Sequence, residues 1–420
     1  MSIGTYVYKY YDGKFDWFVD EVKLFEHQKR INTILNIKDY LEGNHKILNK
    51  RPYNFNGKLY NPAKIVLNYA KTLLNFMVSY VLANPVTITG NEEITSKFLI
   101  VYRKGNYEKT DWDILSNMLK FGFCIEYVYM DENNVIRSKV FDPIDSYPVF
   151  DDDNQLIAFI EHYIVDGIPY YTVFYDEYVE KYITVNGQIS LNSTHANPSG
   201  LPILYVNESE TSLLGRSELE DWVPILDAME EVLSRTFDAY DHYLVGIPVL
   251  VGQRLTKADI PKDIIGSGLV LDDGADFRFV SNNFDVKGFQ ELWKTLTSVL
   301  LDLAHVPAVS MSKTDISNLS EVSIRLLFSL ADMKAALNAR QLKQGMKQRF
   351  SVWAKLLGID DDIDVDVHFH FARPQNDAEI IENLEILRKL NMISLQTALE
   401  RNPYVSDVSS ELKRLQEEKG

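Results

Sequence analysis

The stretch "NYAKTLLNFMVSYVLANPVTITG", Asn68–Gly90, is the most apolar region of the chain, and what it can fold into constrains its surroundings. A membrane-spanning helix needs about 18 or more nearly uninterrupted apolar residues. Here Asn68, Lys71, Thr72, Asn75 and Ser79 break the run, and Asn84-Pro85 ends it. On a helix those polar residues share one narrow stripe, and Tyr69, Leu73, Phe76, Met77 and Tyr80 occupy the broad opposite face. The spacing predicts a helix buried on most sides, not a membrane span. Pro85 blocks its continuation, and the β-branched Val86 and Ile88 predict a short strand after it.

A chain of 420 residues has room for two or three domains, or for one elongated multi-part subunit. Its 24 Tyr and 21 Phe suit extensive interfaces as well as large cores. The single cysteine, Cys124, excludes an intramolecular disulfide and a cysteine-based zinc site. It sits in "KFGFCIEYVYM", which reads as a buried strand, so a core thiol is expected and not a nucleophile. The first residues show no basic region followed by an apolar one, which leads us to expect no export and a reducing compartment. With 60 acidic against 43 basic residues, the net charge of −17 has the wrong sign for a protein that coats DNA. It is compatible with one that DNA passes through without sticking.

Along the chain, residues 16–49 carry a helical pattern in two pieces, and "TDWDILSNMLKF" predicts a short helix capped by Thr110 or Asp111. From Gly122 to about Val206 the texture is that of an antiparallel meander. It begins with the hairpin "FCIEYVYM-DENN-VIRSKVF" and includes a two-residue turn at Asn186-Gly187. Ser217–Leu244 predicts a helix with eight acids and one base, Arg235, and with Pro224 in its second turn. Residues 245–285 read as short strands rich in Gly and Pro. Val286–His305 predicts a helix with Leu292, Leu296, Val299, Leu300 and Leu303 on one face, and Glu321–Leu357 a long basic helix. That basic face suits either nucleic acid or a solvated or inter-subunit face pairing with the acidic Ser217–Leu244 helix. A strand, "DIDVDVHFHFARP", and polar helices end the chain. The fold class expected is α+β.

Catalytic motifs find no home. There is no G-x-x-x-x-G-K-[ST], "GSGLVL" at Gly266–Leu271 lacks a dinucleotide site's third glycine and helix, and "GRSEL" around Ser217 lacks the closing glycine of a nucleophile elbow and reads instead as a helix N-cap. The best chemical candidate is the strand face carrying Asp364, Asp366, His368 and His370, where Asp366, His368 and His370 are suited to a divalent metal and hence to a metal-dependent enzyme. The plainer reading is a half-buried strand with a polar outer face. No cofactor is otherwise implied.

Four blocks, in order, carry a resemblance. "NPAKIVLNYAKTLLNFMVSYVLANPVTIT", "MLKFGFCIEYVYMDENNVIRSKVFDPIDSYPVFDD", "LPILYVNESETSLLGRSELEDWVPILDAMEEVLSRTFDAYD" and "FHFARPQNDAEIIENLEILRKLNMISLQTALERNPYVSDVSSELKRLQEE" resemble successive blocks of portal proteins from tailed bacteriophages of Gram-positive bacteria. The resemblance implies an elongated portal-type subunit in a ring of about twelve copies at one capsid vertex, through which DNA is packaged and later ejected. It implies a wing (1–216), stem helices (217–244 and 286–306) flanking a clip (245–285), and a tunnel loop (307–320). A long wing helix with its return strand (321–375) and a crown (376–420) follow.

By the same resemblance, Ser310, Met311, Ser312, Lys313, Thr314, Asp315, Ser317 and Asn318 would face DNA. Glu218, Asp227, Glu230, Glu231, Asp238 and Asp241 would make the stem acidic, and Arg254, Lys257, Lys262, Asp272 and Asp273 would lie in the motor-docking clip. Implied partners are further copies of the chain, the terminase large subunit, the major capsid and scaffolding proteins, a head-completion or adaptor protein, and double-stranded DNA, with no membrane. The implied location is the virion, after assembly in the bacterial host cytoplasm. A capsid-associated adaptor outside the channel is the alternative within the same setting. The chain departs from the family where members often carry Ser-Gly: here the long helix opens with Ser320-Glu321, and no glycine lies between residues 289 and 344, so a stiffer tunnel loop is expected. The short C-terminal region implies a small crown.

Overall fold

The computed structural model describes residues 1–55, 58–185, 187–209, 211–243, 247–252, 274–280, 285–308, 320–359, 363–405 and 408–417. The chain forms two compact units. One comprises Met1–Lys38, Ala70–Trp222 and Leu301–Gly420; the other comprises Asp39–Tyr69 and Val223–Leu300.

Three helices open the chain: α1 (Ile3–Tyr11), α2 (Trp17–Glu21) and α3 (Phe25–Leu41). A short antiparallel pair follows, β1 (Tyr53–Phe55) and β2 (Lys58–Tyr60). The apolar stretch then folds as expected, into α4 (Tyr69–Leu82) and β3 (Thr87–Gly90). Leu73, Leu74, Met77, Val78, Tyr80 and Val81 are buried, while Lys71, Thr72 and Asn75 stay exposed. Each large apolar side chain so buried stabilises the fold by about 1.5–3 kcal/mol, which fixes the helix by its broad face. Among the described residues no helix is long and apolar enough to cross a membrane.

Next come α5 (Glu92–Lys104), capped by Asn91, and α6 (Tyr107–Phe121). The cap expected at Thr110 or Asp111 is displaced: α6 starts a turn earlier, after Asn106, and Asp111 is buried inside it. Gly122 ends α6 at φ +89°, where a Cβ would crowd the backbone of Gly215 and Arg216. The predicted hairpin is β4 (Phe123–Met130) with β5 (Ile136–Val140), and the meander is β6 (Ser146–Phe150), β7 (Leu156–Val165), β8 (Ile168–Phe174), β9 (Tyr178–Val185) and β10 (Gln188–Ala196). The meander strands pair antiparallel in sequence order, with Val185 opposite Gln188; Asn186 of the expected turn lies outside the described residues. β11 (Ile203–Val206) joins the other edge of β4.

Register explains how this sheet is covered on both faces. Val149, Ala158, Ile160, Val173 and Tyr182 point to one side, against Tyr6, Trp17, Phe18 and Val22 of the N-terminal helices. Phe159, Phe174 and Val179 point to the other, against Ile34 of α3 and Phe123, Ile125 and Phe141 of the hairpin. Alternation at a period of two residues supplies both faces from the same strands.

The remaining elements are α7 (Leu219–Tyr243), the antiparallel pair β12 (Ile247–Val251) and β13 (Asp276–Val280), and α8 (Val286–Leu303). The long basic helix is two helices, α9 (Glu321–Leu327) and α10 (Ser329–Leu357), broken at Phe328 (φ −94°, ψ 4°). Phe328 is buried against Tyr80 of α4, so a packing contact sets the break. β14 (Val365–His368) pairs antiparallel with β3, and α11 (Asp377–Lys389), α12 (Leu395–Glu400) and α13 (Val408–Glu417) complete the chain.

Candidate functional site

The acidic helix α7 is the element to which the sequence assigns most function. Ser217 caps it as expected: its Oγ accepts from the Leu219 N–H and donates to the Lys120 carbonyl. Pro224 lies in the second turn, and the helix runs through it unbroken.

The acids do not form an open row. Glu230, Ser234 and Asp238 lie four residues apart, on one stripe of α7, and each accepts a backbone N–H from the segment before α4. Leu67 N–H reaches Glu230 Oε1 (2.7 Å), Ile65 N–H reaches Ser234 Oγ (3.1 Å) and Ala63 N–H reaches Asp238 Oδ1 (2.8 Å). Two residues of extended chain advance about 6.6 Å and four residues of helix about 6 Å, so alternate N–H groups meet successive turns. The Tyr60 hydroxyl donates to the same Asp238 oxygen (2.8 Å).

Glu230 is fully buried and also faces His45 Nδ1 at 2.5 Å. His45 Nε2 faces the Tyr40 carbonyl (3.0 Å), and the Tyr40 ring stacks on the imidazole at 3.8 Å. Each ring nitrogen thus has an oxygen partner. Glu231 bridges Lys50 (2.6 Å) and Arg235 (2.5 Å). Burial pushes the half-buried Asp227 carboxyl up, against the pull of Lys46 and His45. Glu218 accepts from Lys334 (2.6 Å) and Asn207 (2.9 Å).

Glu230, Asp238 and Glu218 of the expected acidic stem are engaged within the chain: these carboxylates accept from its own N–H groups and cations. Backbone donors that lie outside any strand ladder need such acceptors, and burying them unpaired would cost more than the acids gain in solvent. Lys334 of the long basic helix pairs within the chain with Glu218, just before α7. Asp241 belongs to α7. The clip residues Arg254, Lys257, Lys262, Asp272 and Asp273, and the tunnel-loop residues Ser310, Met311, Ser312, Lys313, Thr314, Asp315, Ser317 and Asn318, lie outside the described residues.

The metal-binding alternative fails on geometry. Val365 and Val367 are buried and the Asp/His face points outward, as a period of two predicts. Asp366 is held by Lys343 (2.8 Å) and Lys347 (3.4 Å), and the Lys343 contact lowers its pKa. His368 Nε2 meets the Thr89 hydroxyl (3.1 Å) and His370 Nε2 the Thr87 hydroxyl (2.8 Å). Among the described residues no three His, Cys, Asp or Glu side chains converge as metal ligands. The open groove of about 540 Å³ lined by Lys46, Lys50, Asp227, Glu231 and Arg235 is likewise occupied by ion pairs. Cys124 is buried, and burial raises its thiol pKa well beyond the reactive range.

A buried charge cluster, which the sequence does not announce, secures α10. Arg349 is fully buried, with Nη1 2.5 Å from Asp111 Oδ1 and Nε 2.9 Å from Glu126 Oε2. Tyr102 donates to Asp111 (2.8 Å) and Tyr205 to Glu126 (2.6 Å). Burial alone would depress Arg349, but Asp111 and Glu126 outweigh it and hold its pKa well above the ordinary value. For Asp111, burial raises the carboxyl against the pull of Arg349.

Comparison with known proteins bears on these elements together. A family model described as "Phage portal protein, SPP1 Gp6-like" matches residues 20–420. The portal protein of Bacillus phage SPP1 is 20% identical over 389 residues, covering 83% of this chain and 74% of that protein. Two solved structures have a similar fold. A chain in the neck of an empty gene transfer agent particle, computed with C6 symmetry, has a TM-score of 0.52 at 12% identity, over 77% of this chain and 86% of that one. A chain in the neck of the native particle, computed with C12 symmetry, has a TM-score of 0.50 at 11% identity, over 78% and 87%. At such identities the structural likeness speaks to the fold. The family match, running from residue 20 to the end, speaks to descent: the chain belongs to the SPP1 Gp6-like family of phage portal proteins.

Proposed function

We propose that this chain is the subunit of a ring-shaped channel at one capsid vertex, through which double-stranded DNA enters the head and later leaves it. The family match over nearly the whole chain carries the reading. It is supported by the order of elements: an acidic helix, a short antiparallel pair, a second helix, then a long helix with a return strand. In this reading α7 and α8 are the stem and residues 245–285 the clip that docks the terminase motor and then a head-completion protein. Residues 307–320 are the tunnel loop, α9–α10 the wing helix and α11–α13 the crown. The ring holds about twelve copies, as closed head-to-tail assemblies of one contact type allow. Major capsid and scaffolding proteins meet it during assembly in the host cytoplasm.

With Glu230, Asp238 and Glu218 committed internally, DNA is kept from sticking by the net charge of −17 more than by a row of stem carboxylates. The test is a nonsense mutation in the phage gene that encodes the chain. Capsids without packaged DNA, filled again when the chain is supplied in trans, are expected; DNA-filled heads made without it overturn the proposal.

A further inference from the structure

Two faces of the subunit are apolar, exposed and opposite in charge. On α9–α10, Val322, Leu326, Leu330, Met333 and Leu337 follow helical spacing at 39–72% exposure. The charges beside them are Arg340, Arg325, which also pairs with Glu321 (3.0 Å), and Lys347, which also reaches Asp366 (3.4 Å), all exposed. Asp332, the one acid between residues 322 and 357, is turned away to Tyr80 (2.6 Å) and Arg373 (2.9 Å).

On α11 no residue is buried, and Ile381, Ile386 and Leu390 are exposed. At about 100° per residue, Ile381, Glu385, Lys389, Glu382 and Ile386 fall in one outward arc; Lys389 pairs with Glu385 (2.5 Å), so the face is apolar with a net acidic charge from Glu382 and Glu385. α11 is tied at its start, where Glu379 accepts from the Glu321 N–H (2.8 Å) and Glu321 from the Asn376 N–H (3.2 Å). Beyond that start its outward face and the α9–α10 stripe both stay open.

We propose that α11 of one subunit lies along the α9–α10 stripe of the next, its Glu382 and Glu385 toward that neighbour's Arg325 and Arg340. The lengths agree: α11 spans about 20 Å and the stripe from Val322 to Leu337 about 22 Å. Two unlike, complementary faces on one chain make a head-to-tail contact, the kind that closes into rings. Apolar burial supplies the affinity and the charges fix the register. The inference rests on the ring reading above and names the surfaces that join the ring.

The test uses the full chain carrying Leu330→Cys together with Ile386→Cys, oxidised after assembly; the native Cys124 is buried and does not compete. A ladder of covalent multimers on a non-reducing gel is expected, with none from either single variant. Rings that form without a ladder, or a crosslink closed within one chain, overturn the contact while leaving the ring reading intact. Failure of the unmodified chain to form rings removes both. In a second arm, Arg325→Glu with Arg340→Glu abolishes assembly, and adding Glu382→Lys and Glu385→Lys restores it. Assembly that survives the first pair, or that the swap leaves broken, overturns the charge pairing.

Discussion

Arg349 has lost its water entirely, and two carboxylates stand where the solvent was. Removing the guanidinium while leaving Asp111 and Glu126 buried should be costly. Arg349→Met is expected to lower the unfolding free energy by about 3–5 kcal/mol in urea denaturation, and a loss below about 1 kcal/mol would contradict the role given to the cluster. Asp145 offers a titration. Burial, with Asp142 and Glu161 nearby, pushes its carboxyl up to about 6. The folded state therefore holds the proton more tightly than the unfolded chain. The site favours folding below about pH 4, and that contribution is lost as pH rises through about 6. Asp145→Asn should match the parent chain's melting temperature near pH 4 and exceed it at pH 7; a gap independent of pH would refute this. Neither site is legible in the sequence. Within a basic helix Arg349 looks like its exposed neighbours, because Asp111 and Glu126 lie more than 200 residues away.

At the scale of elements, legibility follows how local the cause is. Pro85, the Asn186-Gly187 turn and the Ser217 cap act within a few residues, and α4, the meander and the start of α7 match expectation. The break at Phe328 answers to Tyr80, and the α7 polar stripe answers to residues 63–67; local spacing shows neither partner. Two helices carry their own signal: α5 has the Asn91 cap and Glu92-Glu93 in its first turn, and α1 has the Ser2 cap and Ile3, Tyr6, Val7 and Tyr11 at helical spacing. Gly345 tests how α10 meets β11. A Cβ there would overlap the Tyr205 ring, which is buried and held through its hydroxyl to Glu126. Helix propensity favours Gly345→Ala by about 1 kcal/mol, but forced overpacking costs about 1–3 kcal/mol. Net destabilisation is expected in the same urea assay, and a gain in stability would show that the ring yields.

At the scale of the whole molecule, function was legible through the order of four blocks and not through any catalytic constellation. Charge counted along a helix does not say which acids the chain uses for itself: Glu230, Asp238 and Glu218 accept from its own groups. Deleting Ser310–Ser317 is expected to impair DNA packaging while rings still assemble, scored by packaged DNA per capsid and by electron microscopy of the purified chain. Loss of the rings would mean that the segment builds the subunit contact instead. The most direct measurement of the central claim is cryo-electron microscopy of the purified full-length chain. Closed rings with a central hole and countable rotational symmetry near twelve-fold are expected. A uniform population of monomers, or of closed two-fold dimers, across protein concentration and salt would contradict the account.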